Sequence, residues 1–152
     1  MKMSQTQYEL SEVMEPRNLI ISIKPEYAFQ IVEGKKTVEL RRRFPTENVK
    51  GGIAIIYASS PTQKIVGYAY IEDVKKLSIS SIWKKFSKRA CVTKPFFDSY
   101  FSGLDEGFAI SLSKPVKLKI PVDVRKLEEG YSFSPPQSYC YAPDRILEAV
   151  DA

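Results

Sequence analysis

One short run constrains this chain more than any other feature: Ile53-Ala54-Ile55-Ile56-Tyr57-Ala58-Ser59, entered through Gly51-Gly52. It is apolar on both faces of an extended chain, so it predicts a central strand with neighbours on either side. The flanking segments supply those neighbours. Residues 19–24 alternate with period 2, Leu19, Ile21 and Ile23 against Ile20, Ser22 and Lys24, which predicts another strand. Residues 64–74 form a longer one, in which Gly67 marks a bulge or sharp bend.

Between these strands the period changes. Pro25 stands where a helix favours its first residue. Tyr27, Ala28, Ile31 and Val32 then share one face up to about Glu33, and Gly34 ends the helix at C′. Residues 37–43 read as a strand with Thr37, Glu39, Arg41 and Arg43 on one side and Val38, Leu40 and Arg42 on the other. The stretch 78–103 is helical. Ile79, Ile82, Trp83 and Phe86 recur at helical spacing behind Ser78 as N-cap, and Phe96, Phe97, Tyr100 and Phe101 form a second short helix ending at Gly103. Strands are expected at 107–113 and 116–122, separated at Lys114-Pro115, with Pro121 at an edge or strand end. A tail helix covers 144–150. Residues 1–17 read as a flexible N-terminal arm and 18–152 as one domain. The fold class is mainly β with α insertions (α+β), a small and mostly antiparallel barrel with an early helix and a helical insertion.

Composition narrows the chemistry. The chain holds 23 Lys and Arg against 18 Asp and Glu, a net charge of +5 that favours an anionic partner. It has no histidine, which removes Ser-His and Cys-His nucleophile pairs, His-ligated zinc and a histidine general base. Cys91 and Cys140 belong to no CxxC pattern and read as two buried free thiols in a reducing compartment. No metal and no cofactor are expected. With no secretory signal and no apolar stretch of membrane-spanning length, the expected location is the cytoplasm.

The segment richest in chemistry is Gly34-Lys35-Lys36-Thr37-Val38-Glu39-Leu40-Arg41-Arg42-Arg43. Thr37, Glu39 and Arg41 on one strand face can converge on one ligand, the carboxylate held ionised by the cations and the guanidinium offering a planar fork to a phosphate or base edge. The competing reading is a salt-bridged, solvent-exposed edge strand. No P-loop pattern is present. Lys84, Lys85, Lys88, Arg89 and Lys94 form a second basic run without an intervening acid, suited either to a nucleic-acid backbone or to the solvated side of an amphipathic helix. Tyr57, Tyr139 and Tyr141 are candidates for base stacking or for ordinary packing.

Taken together, SIKPEYAFQIVEGKKTVELRRR, IIYASSP, KIVGYAYI, the helical insertion and the late GFAISL resemble the ASCH domain, a family of the PUA-like superfamily of small β-barrels. The signature GxKxxExR matches at Gly34, Lys36, Glu39 and Arg41, and the resemblance covers most of residues 18–140. It implies a cleft between the early helix and the motif strand, and binding of RNA or a role in its metabolism; some members are regarded as transcriptional regulators. One branch hydrolyses acetylated cytidine with a Lys, a Thr and a Glu. Its Lys matches Lys36, but its Thr falls at Glu39, so that nucleophile is missing here. A few members resemble ribonucleases.

The leading expectation is therefore an RNA- or nucleotide-binding protein, with DNA as a further possible ligand and no membrane partner. Its ligand site would comprise Lys24, Lys36, Thr37, Glu39, Arg41, Tyr57 and Ser59, with Lys84, Lys85, Lys88 and Arg89 as a peripheral basic patch. The alternative is a small hydrolase, an amidohydrolase or ribonuclease acting on a modified nucleoside or RNA, with Lys36 as base and Thr37 or Glu39 assisting. A protein-interaction module is the third.

Overall fold

The computed structural model describes residues 15–123, 125–126, 134–143 and 146–151. Its elements in chain order are β1 (Leu19–Ile23), α1 (Pro25–Val32), β2 (Val38–Arg41), β3 (Ile53–Ala58), β4 (Lys64–Ser78), α2 (Ile79–Ala90), α3 (Lys94–Tyr100), β5 (Glu106–Asp123), β6 (Tyr139–Tyr141) and α4 (Ile146–Asp151). The strands form one sheet in the order β2-β5-β4-β3-β1-β6. Among the described residues only β1 and β3 pair in parallel; the other pairs are antiparallel. The sheet curls into a half-barrel with helices packed on it, the mainly β, mostly antiparallel α+β architecture expected.

The run that is apolar on both faces sits where that pattern requires. β3 lies between β4 and β1, and its alternate residues enter two different cores. Ala54, Ile56 and Ala58 pack with Ile21, Ile31 and Val32 under α1. Ile55 and Tyr57 pack on the opposite face with Ile20, Ile65 and Ile146. A third core joins α2 and α3 to the far end of the sheet through Val38, Leu40, Ile82, Phe86 and Phe97. Each fully buried Ile or Leu contributes about 1.5–3 kcal/mol of transfer free energy.

Curvature comes from the two long strands. Their register shifts near Ile65/Gly67, Tyr68/Tyr70 and Ile71/Asp73, so bulges bend the ribbon. Gly67 is at one of them because nothing larger fits: a Cβ there would lie 2.1 Å from the Val116 carbonyl oxygen and 2.6 Å from Val32 Cγ1. The two strands expected at 107–113 and 116–122 are one continuous β5. Lys114, with φ of 49°, turns the chain as a bulge and not as a break, because β4 is long enough to pair on both sides of it.

The helix ends follow the expected signals. Pro25 starts α1 and Gly34 follows it with φ of 82°. Ser78 caps α2 by accepting from the Ser81 amide, and Thr93 caps α3 in the same way from Phe96. Cys91 closes α2 in the left-handed conformation, a surface position, so this thiol is exposed and not buried as expected; Cys140 is half-buried, and both are free. Residues 1–14 of the expected arm and Asp144 and Arg145 of the expected tail helix lie outside the described residues. Arg17, at the end of that arm, donates its amide to Asn48 O at 2.6 Å and stacks its guanidinium 3.6 Å from the Tyr141 ring centroid. No helix among the described residues is long and apolar enough to cross a membrane.

Candidate functional site

β2 has four residues and all are buried. Val38 and Leu40 point into the core shared with α2 and α3. Period-2 geometry sends Glu39 and Arg41 to the other side. There they enter a cleft of about 300 Å³ between the end of β1, the start of α1 and the inner face of α3. Lys36 joins them from the turn before β2. Lys36, Glu39 and Arg41 are only 2%, 7% and 9% exposed.

Burying three charges is costly unless each is paired and hydrogen-bonded. That condition is met. Arg41 Nε and Nη2 donate to Glu39 Oε2 at 3.2 and 2.9 Å, Nη2 also donates to the Ser22 carbonyl at 2.7 Å, and Nη1 donates to Ser138 Oγ at 3.1 Å. Lys36 Nζ stands 3.6 Å from Glu39 Oε1 and donates to the Ala90 carbonyl at the end of α2. Two cations against one carboxylate leave the network one positive charge in excess when Lys36 is protonated. Burial pulls the Lys36 ammonium below the ordinary lysine range, against the attraction of Glu39, which acts in the opposite direction.

The cleft's remaining wall is aromatic. Tyr27 of α1 meets Phe96 of α3 at a centroid distance of 5.7 Å, and Phe96 stacks on Tyr100 at 5.9 Å with planes 10° apart. The Lys36 ammonium lies 5.2 Å from the Tyr27 centroid, within cation–π range. Tyr100 donates to the Leu40 carbonyl at 3.1 Å, and burial raises the pKa of both its phenol and that of Tyr27. Among the described residues no cluster of three or more His, Cys, Asp or Glu side chains could hold a metal ion.

The structure brings together four of the residues singled out in the sequence, Lys36, Glu39 and Arg41 with Lys24 at the rim. It does not bring the others to this cleft. Thr37 lines a separate groove with Ile31, Gly34 and Leu112, and its Oγ1 accepts from Arg89 Nε at 3.1 Å. The alternation that would place it beside Glu39 starts one residue too early, because β2 begins at Val38 and a turn precedes it. Tyr57 is buried on the opposite face of the sheet, and Ser59 follows β3 with its amide bonded to the Ile23 carbonyl. Lys84, Lys85, Lys88 and Arg89 occupy the exposed side of α2.

Tyr27, Val92, Phe96 and Tyr100 line the cleft without having been singled out as site residues. In sequence, Tyr27, Phe96 and Tyr100 form part of apolar helical stripes. The available signal was the density of rings in 96–101: Phe96, Phe97, Tyr100 and Phe101.

Comparison with known proteins places the family and the fold. The ASCH domain family model matches residues 21–141. A Zymomonas mobilis protein described as an ASCH domain-containing ribonuclease is 32% identical over 130 residues, which is 85% of this chain and 86% of that protein. The crystal structure of ASCH from Zymomonas mobilis superposes with a TM-score of 0.82 at 29% identity, covering 89% of this chain and 94% of the other. The N-terminal domain of Staphylothermus marinus McrB shares the fold at a TM-score of 0.58 and 14% identity, over 90% of this chain and 94% of that domain.

Proposed function

The chain belongs to the ASCH domain family, and from that premise we propose that it binds RNA by seating one nucleotide in the cleft at Lys36, Glu39 and Arg41. The observation that carries this reading is the buried three-charge network opening onto an aromatic wall. An aromatic face accepts an unstacked base of any identity, contributing about 1–3 kcal/mol per base. The excess positive charge attracts the adjoining phosphate, and the Glu39 carboxylate accepts from a base amino group. A space of about 300 Å³ lies at the small end of ligand sites. It suits one nucleotide and not a duplex, so the bound strand is single. The description of the Zymomonas relative as a ribonuclease favours RNA over DNA. Binding of this kind belongs to RNA metabolism or to control of transcription, in the cytoplasm.

The test is a fluorescence titration of single-stranded RNA against the wild type and a Tyr27→Ala/Phe96→Ala variant. Both rings are half-buried, and circular dichroism of the variant checks that it is folded. Affinity falls at least tenfold in the variant, about 1.4 kcal/mol. Equal affinities reject the cleft as the site.

A second reading is cleavage of the bound RNA. The direction in which burial moves the Lys36 pKa favours it, since lowering the pKa makes the neutral amine, the form that accepts a proton, easier to reach than in an ordinary lysine. Lys36 would take the proton of a ribose 2′-hydroxyl. The 2′ oxygen would attack the adjacent phosphorus and the P–O5′ bond would break, the leaving oxygen being protonated by water. Hydrolysis of a modified nucleoside would use the same base, with Glu39 assisting it; Thr37 faces the other groove. End-labelled RNA resolved on a gel separates binding from turnover: fragments formed by the wild type and not by Lys36→Met establish cleavage, and intact RNA throughout establishes binding alone.

A further inference from the structure

We propose that the exposed face of α2 is a second RNA contact, along which the backbone of the strand entering the cleft is held by Lys84, Lys85 and Lys88. This rests on the reading of the cleft as a nucleotide site.

The argument starts from pairing. α2 buries Ile82, Phe86 and Ala90 and turns Lys84, Lys85 and Lys88 outward. Its twelve residues include no acid, and no ion pair to these three lysines is present among the described residues. Lys94, the first cation after the helix, is neutralised by Asp98. Uncompensated like charges on one helix repel, and an anionic strand relieves that repulsion while releasing its own counterions.

Placement supplies the second half. The last turn of α2 is stitched to the motif segment: Lys36 Nζ donates to the Ala90 carbonyl, and the Thr37 amide donates to the Arg89 carbonyl at 3.0 Å. Val92, just past the helix, lines the cleft itself. A strand leaving the cleft on that side therefore meets the end of α2. The flank beyond Arg89 is mixed in charge, because Arg89 shares a groove with Glu72 and Asp73 as well as Lys50 and Lys75, whereas the helix face with Lys84, Lys85 and Lys88 carries no acid. That directs the backbone over Lys84, Lys85 and Lys88. Lys84 and Lys88 are one turn apart, with Cβ atoms about 5–6 Å from each other.

The test compares the wild type with Lys84→Gln/Lys85→Gln/Lys88→Gln, using two probes: a random-sequence single-stranded RNA oligonucleotide and the set of ribonucleoside monophosphates. Both are titrated across a salt series, and circular dichroism checks the fold. The expected result is a log K against log salt slope for the oligonucleotide that is shallower by about 2 in the variant, about 0.7 per lysine, with monophosphate binding unchanged. An unchanged oligonucleotide slope with monophosphates still bound overturns this inference and leaves the cleft reading intact. No monophosphate binding by either protein, with the oligonucleotide also unbound, overturns the cleft reading first. Competition by polyglutamate as effective as that by RNA would identify α2 as a surface for an acidic protein instead and also overturn the inference.

Discussion

Arg41 donates two hydrogen bonds to one oxygen of Glu39, at 3.2 and 2.9 Å, leaving the other carboxylate oxygen facing Lys36. The same guanidinium reaches the Ser22 carbonyl and Ser138 Oγ, so one side chain fastens β2 to β1 and to the segment leading into β6. The motif is thus a structural tie as well as the proposed ligand surface. Arg41→Ala leaves Glu39 buried with only the more distant Lys36 as its partner and should destabilise the protein by about 3–5 kcal/mol. Urea unfolding measures this; a loss below about 1 kcal/mol, the range of an exposed pair, would show that the tie is dispensable.

Lys36 makes stability depend on pH in a defined direction. Its folded-state pKa is lowered by burial, so between that value and the unfolded value of about 10.4 the unfolded chain binds more protons. Stability from this group therefore rises with pH through that window, by up to about 1.36 kcal/mol per pH unit. Below the folded pKa the cost of burying the ammonium is constant and fully present. Urea midpoints of wild type minus those of Lys36→Met, measured from neutral pH to 10, should increase with pH. A difference that is flat or falls would contradict the sign.

Gly67 is a test of the fold. Its missing Cβ is what allows Val32 of α1 and the Val116 carbonyl of β5 to approach β4 together. Gly67→Ala should cost roughly 3 kcal/mol or more by overpacking, lowering Tm by about 6–12 °C in a chain of this size. Calorimetry reads this directly. A shift under about 2 °C would mean that α1 does not press on the sheet at that point.

Most strands and helices were legible because each carries a local signal: period 2 in β1, Pro25 and Gly34 around α1, Ser78 before α2; β6 was not, because three residues are too few to show a period and only pairing with β1 makes them a strand. The continuity of β5 was not, since Lys114-Pro115 carries the local marks of a break and only pairing with distant β4 residues overrides them. In the site, Glu39 and Arg41 were legible as one face of a strand. Thr37 was not, because alternation holds only where the backbone is regular, and β2 starts after it. Tyr57 lies in a strand covered on both sides, so nothing in its neighbourhood marks which face it takes. The rings of Tyr27, Phe96 and Tyr100 follow the helical spacing of a core. Only the meeting of α1 with α3 makes their faces a cleft wall.

The central claim is that RNA enters the cleft beside the buried charges. Photo-crosslinking of single-stranded RNA carrying 4-thiouridine, followed by mass spectrometry of the joined peptides, tests it most directly. Crosslinks should fall on Tyr27, Phe96 or Tyr100. Crosslinks confined to the opposite face of the sheet, around α4 and the distal half of β5, would contradict it.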